Sequence, residues 1–358
     1  MLRQRGAATT EAGEVGCGAT TSWWYAYTPE RTTEYGISTV ANGLSGSNPP
    51  ITEDNDLTLA LYTGTEFPLT EIFCQDEDNS GGGGEGEGLT LTAGVTYYLR
   101  VGAKSTTDVA DIRTQITPIT KVWQGTISSS WTEPDNWFEN LPAVAGDDVI
   151  IVGGGHDLVI EAGEDIALNS LSNISEANLT LSEGGTITVN STSNNGIFWI
   201  GGRLTIGGQV NLTTDLVYGF NPIFAEVVVT PTGTINLTGT GVATSGDLTV
   251  AGNFIINDAP DIGIFSLIDT FRIAETGVVS ITNATGVGFS ATSSLEIDGQ
   301  LKIDGSGEAG VSHDSDDPLL IGSTGTLTIT GSTETALVME DGRATINNGT
   351  VTIDAPND

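Results

Sequence analysis

The chain has 358 residues, with 11 basic against 46 acidic side chains and a formal net charge of −35. That excess repels phosphate backbones and anionic membranes, whose binding is driven by Lys and Arg, so nucleic-acid binding and direct membrane insertion are excluded as roles. The length suffices for two domains with a sizeable core; no apolar run approaches the roughly 18 residues of a membrane span, and helical periodicity is lacking, so the expected fold class is all-β.

The opening Met1-Leu-Arg-Gln-Arg-Gly6 carries basic residues without the apolar stretch of a secretory signal. Alternating apolar and polar runs then come at the spacing of a β-sandwich: Ser22–Tyr27, Glu34–Val40, Leu57–Tyr62, Leu89–Thr92 and Val95–Val101. Asn42-Gly43, Thr63-Gly64 and Ala93-Gly94 supply turns between them. Residues 1–118 are therefore assigned to one sandwich domain. Cys17 and Cys74, the two cysteines of the chain, suit a single disulfide, although spacing alone does not fix its geometry. Two acidic loops stand out, Asp54-Asn55-Asp56 and Asp76-Glu77-Asp78-Asn79. Hard oxygen ligands at alternate positions suit Ca²⁺, so Asp54, Asp56, Asp76 and Asp78 are its expected ligands; solvated turn carboxylates are the competing reading.

Four of these strands carry a resemblance. Trp24, Tyr25, Tyr27 and Pro29 come first; Asp56 then leads into Tyr62-Thr63-Gly64, followed by Cys74, Asp76 and Asp78. Ala93, Gly94, Tyr97, Tyr98, Arg100 and Gly102 complete the order. Over about 90 residues this is similar to the bacterial pre-peptidase C-terminal family, whose jelly-roll-like sandwiches accompany secreted enzymes and surface proteins. The run Gly81–Gly88 departs from that pattern by lengthening one loop.

Residues 119–157 read as a linker, Pro118–Lys121, followed by an aromatic segment. That segment, through Trp123, Trp131, Asn136-Trp137 and Gly146-Asp147, resembles the opening of many secreted bacterial β-helix proteins. The three indoles suit a plug for the open end of a solenoid core; an aromatic sugar-binding platform is the alternative. Gly153-Gly-Gly155 lacks the Lys-Ser/Thr of a phosphate-binding loop.

From 158 to 358 one phrase returns: Gly, any residue, then two apolar residues flanking a third. It starts at Gly185, Gly202, Gly233, Gly252, Gly277, Gly299, Gly325 and Gly349, a mean spacing of (349 − 185)/7, near 23 residues. A period of that length marks a repeat architecture, and the internal alternation marks strands. A second strand precedes most of the glycines, as in Glu226–Val229 and Ser294–Ile297, and a looser apolar patch lies further upstream. The expectation is a right-handed parallel β-helix of about eight or nine rungs, with the glycines placed at corners for their backbone freedom. The chain stops directly on a repeat strand at Ile353, so the array is expected to continue further or to be covered by another subunit.

Polysaccharide lyases and hydrolases use such scaffolds, and need a positioned base or converging carboxylates. Arg203, Arg272, Lys302 and Arg343, the solenoid's basic residues from Trp123 onward, fall at unlike places in the repeat with no partnered Asp cluster. Ser312–Pro318 is the most polar cluster, but a contiguous Ser312-His313-Asp314 cannot converge as a triad. Asp314, Asp316 and Asp317 are weaker Ca²⁺ candidates in what otherwise reads as a polar turn. No catalytic residue and no cofactor other than Ca²⁺ is assigned. The expected function is a structural and adhesive segment of a large cell-surface or appendage protein, with other copies, other surface subunits or target glycans as partners. Extracellular location, Bacteroidota origin and type IX secretion are what the two resemblances imply. A polysaccharide-acting enzyme and a Ca²⁺-dependent carbohydrate-binding module are the alternatives.

Overall fold

A computed structural model describes residues 2–4, 17, 21–41, 57–65, 68–76, 85–103, 112–153, 155–191, 196–267, 269–340 and 343–354. It divides into two compact units, Met1–Ile119 and Thr120–Asp358. The first is a pair of four-stranded antiparallel sheets. One runs Leu2–Gln4, Ile112–Pro118, Thr33–Ala41, Glu85–Leu91, and the other Thr21–Tyr27, Tyr97–Ala103, Leu57–Thr63, Thr70–Asp76. Alternation sends Tyr35, Ile37 and Leu91 from one sheet, and Trp23, Leu59, Leu61, Leu99 and Val101 from the other, into one shared core. On the opposite side of the second sheet Ala60 and Tyr62 bury Cys17, with Trp24, Leu69 and Tyr98 around them. A Cys17–Cys74 disulfide, with Cα atoms 5.9 Å apart, ties Cys17 to the strand Thr70–Asp76.

The linker expected at 118–121 is strand on both sides. Ile112–Pro118 ends one unit, the Ile119 N–H donates to the Glu34 carbonyl at 2.9 Å, and Thr120–Trp123 already pairs in parallel with Asp147–Ile151. The solenoid stack thus begins within the segment read as linker and cap.

Each rung has three short strands, and each strand pairs in parallel with its counterpart one rung on. The first face carries residues 165–168 and then Thr186–Ser191, Gln209–Thr214, Thr234–Thr238, Asn253–Asn257, Val278–Ala284, Gln300–Ser306, Thr326–Ser332 and Thr350–Ile353. A second face follows it in the first eight rungs, from residues 171–173 through Ile197–Ile200 to Thr335–Met339. The third face, nine strands from Leu158–Ile160 to Ala344–Ile346, leads into the first. Nine rungs result.

This register corrects one element of the repeat. Gly202 opens Arg203–Ile206, which pairs with Leu179–Leu181 and Glu226–Val229 on the third face. Gly208 holds the first-face position, so the uneven gaps around Gly202 become 208 − 185 = 23 and 233 − 208 = 25 residues. The hydrogen bonds show the continuity. The N–H after each glycine donates to the carbonyl of the glycine one rung before: Gln209 to Gly185, Thr234 to Gly208, Asn253 to Gly233, Val278 to Gly252, Gln300 to Gly277, Thr326 to Gly299 and Thr350 to Gly325, all at 2.8–3.0 Å.

The reason for glycine also differs from the expectation. None of the eight in this column has a positive φ. A Cβ on any of them would instead lie less than 3.0 Å from a backbone carbonyl oxygen of the preceding rung. Close approach between rungs, not conformational freedom, requires the residue.

Inward columns fill the core. On the first face Ile187, Val210, Ile235, Phe254, Val279, Leu301 and Leu327 stack at one level, all buried. Outward positions carry polar ladders, as where Asn236 Nδ2 donates to Asn211 Oδ1 at 3.0 Å. In the ninth rung Ile346 is 54% and Ile353 44% exposed.

At the other end Trp123, Trp131 and Trp137 are fully buried in the solenoid core, which fits the plug and removes the sugar-platform reading for these rings. Trp137 meets Trp131 edge-on at 4.7 Å, and its Nε1–H donates to the Trp131 carbonyl at 2.7 Å. Asn136, also buried, accepts from the Ile127 and Ser128 N–H groups and donates to Ser128 Oγ and the Ser130 carbonyl. Trp137→Ala is expected to cost the solenoid about 3–5 kcal/mol, the range for deleting a buried indole, read as a lower midpoint of its urea unfolding.

Candidate functional site

Of the carboxylates singled out by sequence, Asp314, Asp316 and Asp317 and the backbone of Asp76 fall among the described residues. Asp54, Asp56 and Asp78 lie outside the described residues, and Asp76 closes the strand Thr70–Asp76. Asp314, Asp316 and Asp317 are exposed in the turn after Ala309–His313. Among the described residues no three His, Cys, Asp or Glu side chains gather in a group that could hold a metal ion.

The basic residues correct a second expectation. Arg203 and Glu226 are register partners on the third face, with Nε and Oε2 3.6 Å apart. Arg272 faces Glu296 in the same way at 3.8 Å and donates through Nη2 to Asp298 at 3.1 Å. Arg272 thus has two acidic partners, where the sequence offered none. These pairs are half-exposed, so each contributes little, about 0–1 kcal/mol. Glu296 and Asp298 also line a shallow cleft of about 280 Å³ with Leu320, Gly322, Thr345 and Asn347.

The outward side of the second face has a different chemistry. Phe198, Asn221, Ala243 and Phe265 follow one another up four rungs on strands that pair in parallel, flanked by Ile200, which is paired with Ile223, and by Leu267. The Tyr218 and Phe265 rings stack with centroids 6.3 Å apart. Beside them Phe224 is 69% exposed with φ at 51°, a left-handed conformation that a bulky side chain seldom adopts. Over the next two rungs the same column turns polar, with Ser290 and Ser312. The first face offers Thr, Asn and Gln outward over the matching rungs, as at Thr188, Asn211 and Asn236. An outward apolar column of this kind, with Asp261 near Tyr218 at its edge, was not singled out in the sequence, although the alternation that buries Ile197 and Trp199 puts Phe198 outside.

His313 is the third feature. It closes the second-face strand of the seventh rung with its side chain inward and 0% exposed, and neither ring nitrogen has a hydrogen-bond partner.

Compared with known proteins, the chain matches no family model, no curated protein and no solved structure.

Proposed function

We propose that this chain is a structural and adhesive module of an exported bacterial surface or appendage protein, with the solenoid as a spacer and the second face as its contact surface. The observation that carries this reading is the apolar outward patch formed by Phe198, Ile200, Ile223, Phe224, Phe265 and Leu267. Apolar side chains gathered outward on one face mark an interaction site; Phe224 and Leu267 are exposed and the other four half-buried, and the outward column from Phe198 to Phe265 holds no charged side chain that would repel another acidic copy. Further support comes from the disulfide, which belongs to oxidising, extracytoplasmic settings. The resemblance of residues 24–102 to the pre-peptidase C-terminal sandwiches points the same way, and to a Bacteroidota, type IX-secreted context.

Sedimentation of the full chain tests the contact surface. The expected result is a mass that rises with protein concentration, and more steeply as salt screens the acidic surfaces. Phe198→Ser with Phe265→Ser, both outward substitutions, should return the chain to monomer with an unchanged circular dichroism spectrum. A wild-type chain that stays monomeric at every concentration and salt would overturn self-association through this face.

A further inference from the structure

The outward side of the first face differs in charge from the surface around it. Five consecutive strands, Thr186–Ser191, Gln209–Thr214, Thr234–Thr238, Asn253–Asn257 and Val278–Ala284, each present three outward positions, from 186, 188 and 190 up to 278, 280 and 282. None of these fifteen residues is buried and none is charged: they are six threonines, five asparagines, a serine and a glutamine, with Ile255 and Val278. Charge lies at the edges instead. Glu183 and Glu275 are exposed in the corner before the face, and Asp215, Asp258 and Asp261 in the corner after it. On a chain with 46 acidic side chains, a face cleared of charge has the composition found at the centre of an interface.

The face is also a regular grid. Its four successive pairings run in register without a bulge, so outward side chains repeat about 4.8 Å apart along the stack and about 6.6 Å apart along each strand. The threonines, Ile255 and Val278 are β-branched and therefore stiff at χ1. The amides at its centre are tied together: Gln209 Nε2 and Asn236 Nδ2 both donate to Asn211 Oδ1, at 2.8 and 3.0 Å. Hydroxyl, amide and methyl groups thus stand at fixed positions before any partner arrives, which leaves little side-chain ordering to offset on binding.

We propose that this uncharged Thr/Asn grid on the first face is a binding surface for ice. Its partner must be neutral, flat and periodic in the same two directions. Both repeats approach the oxygen repeats on the prism face of hexagonal ice. A hydroxyl beside its own methyl holds a water in a lattice position, where a charged group would draw that water into its own hydration shell. A second copy suits the grid poorly, because its exposed acidic edges would meet those of the first. A polysaccharide surface suits it poorly too, since no aromatic ring stands among the fifteen positions for a sugar to stack on. The grid is independent of the apolar contact surface, which lies on the second face.

The test is ice-affinity partitioning of the full chain, in which a slowly growing ice front takes up bound protein and rejects the rest. Wild type should be enriched in the ice over the remaining liquid, while an inert control protein is excluded. Asn236→Tyr, at the centre of the grid, should abolish the enrichment. Thr205→Tyr, an outward change on the third face, should keep it. Tyrosine suits a strand, and an unchanged circular dichroism spectrum checks each fold. Should Asn236→Tyr fail to fold, Thr213→Tyr at an exposed position of the same grid takes its place, with the same loss expected. Wild type excluded from the ice like the control overturns the proposal, as does enrichment that the folded grid variant keeps or that Thr205→Tyr also loses. Wild type retained on powdered cellulose but not taken up by ice would overturn it in favour of a polysaccharide surface.

Discussion

Gly277→Ala is expected to destabilise the solenoid by about 3 kcal/mol, the upper part of the range for overpacking a filled interior. The added methyl would fall on the Val250 carbonyl of the rung before, and the two rungs cannot separate without lengthening the hydrogen bond from Val278 N–H to the Gly252 carbonyl, now 2.8 Å. Gly36→Ala is the matched control. In the first unit a Cβ there would sit 3.9 Å from Ile119 Cγ1, an ordinary contact, with no positive φ to strain. That change should be neutral or slightly stabilising, because it restricts the unfolded chain. Urea unfolding followed by circular dichroism separates the two outcomes, and equal midpoints for the two variants would contradict the close-approach account of the column.

The second large effect belongs to the disulfide. Cys17→Ser with Cys74→Ser should cost the first unit about 4 kcal/mol, the chain-entropy value for a crosslink spanning 57 residues. The solenoid transition should not move, since the chain has no other cysteine. A second readout is local. The Tyr62 hydroxyl lies in the same cluster and donates to Glu71 at 3.2 Å. Burial first, and then the Glu71 carboxylate, push its pKa up to about 12. Loosening Cys17 from that cluster should bring the alkaline titration back toward 10. A calorimetric trace of the double variant with both transitions unchanged would rule out a stabilising role for the crosslink.

The solenoid was legible because its signals are redundant: period-two alternation, a returning glycine and a fixed repeat all point to the same strands. Gly202 misled because two corners of that rung both present Gly-x-apolar-x-apolar, six residues apart at Gly202 and Gly208, and only hydrogen-bond register separates them. The Arg272–Glu296 pair hid in the repeat itself. Its partners are 296 − 272 = 24 residues apart, one rung, so aligning the units would have brought them together. His313 was read as part of a turn because Asp314–Pro318 after it has turn composition, while its inward direction depends on counting from Val311. In the sandwich, Thr70–Asp76 was missed because a strand at the edge of its sheet carries polar residues such as Glu71 and Gln75, which blur the alternation.

The column of glycine carbonyls fixes the direction in which this solenoid can carry load. Its inter-rung hydrogen bonds run along the stacking axis, so tension applied between its ends acts on the rungs in series. Each rung released pays out one repeat of backbone, on the order of 80 Å when fully extended, and the rungs behind it keep their own plugged core. A stack of this kind lengthens in discrete steps and absorbs work at each one.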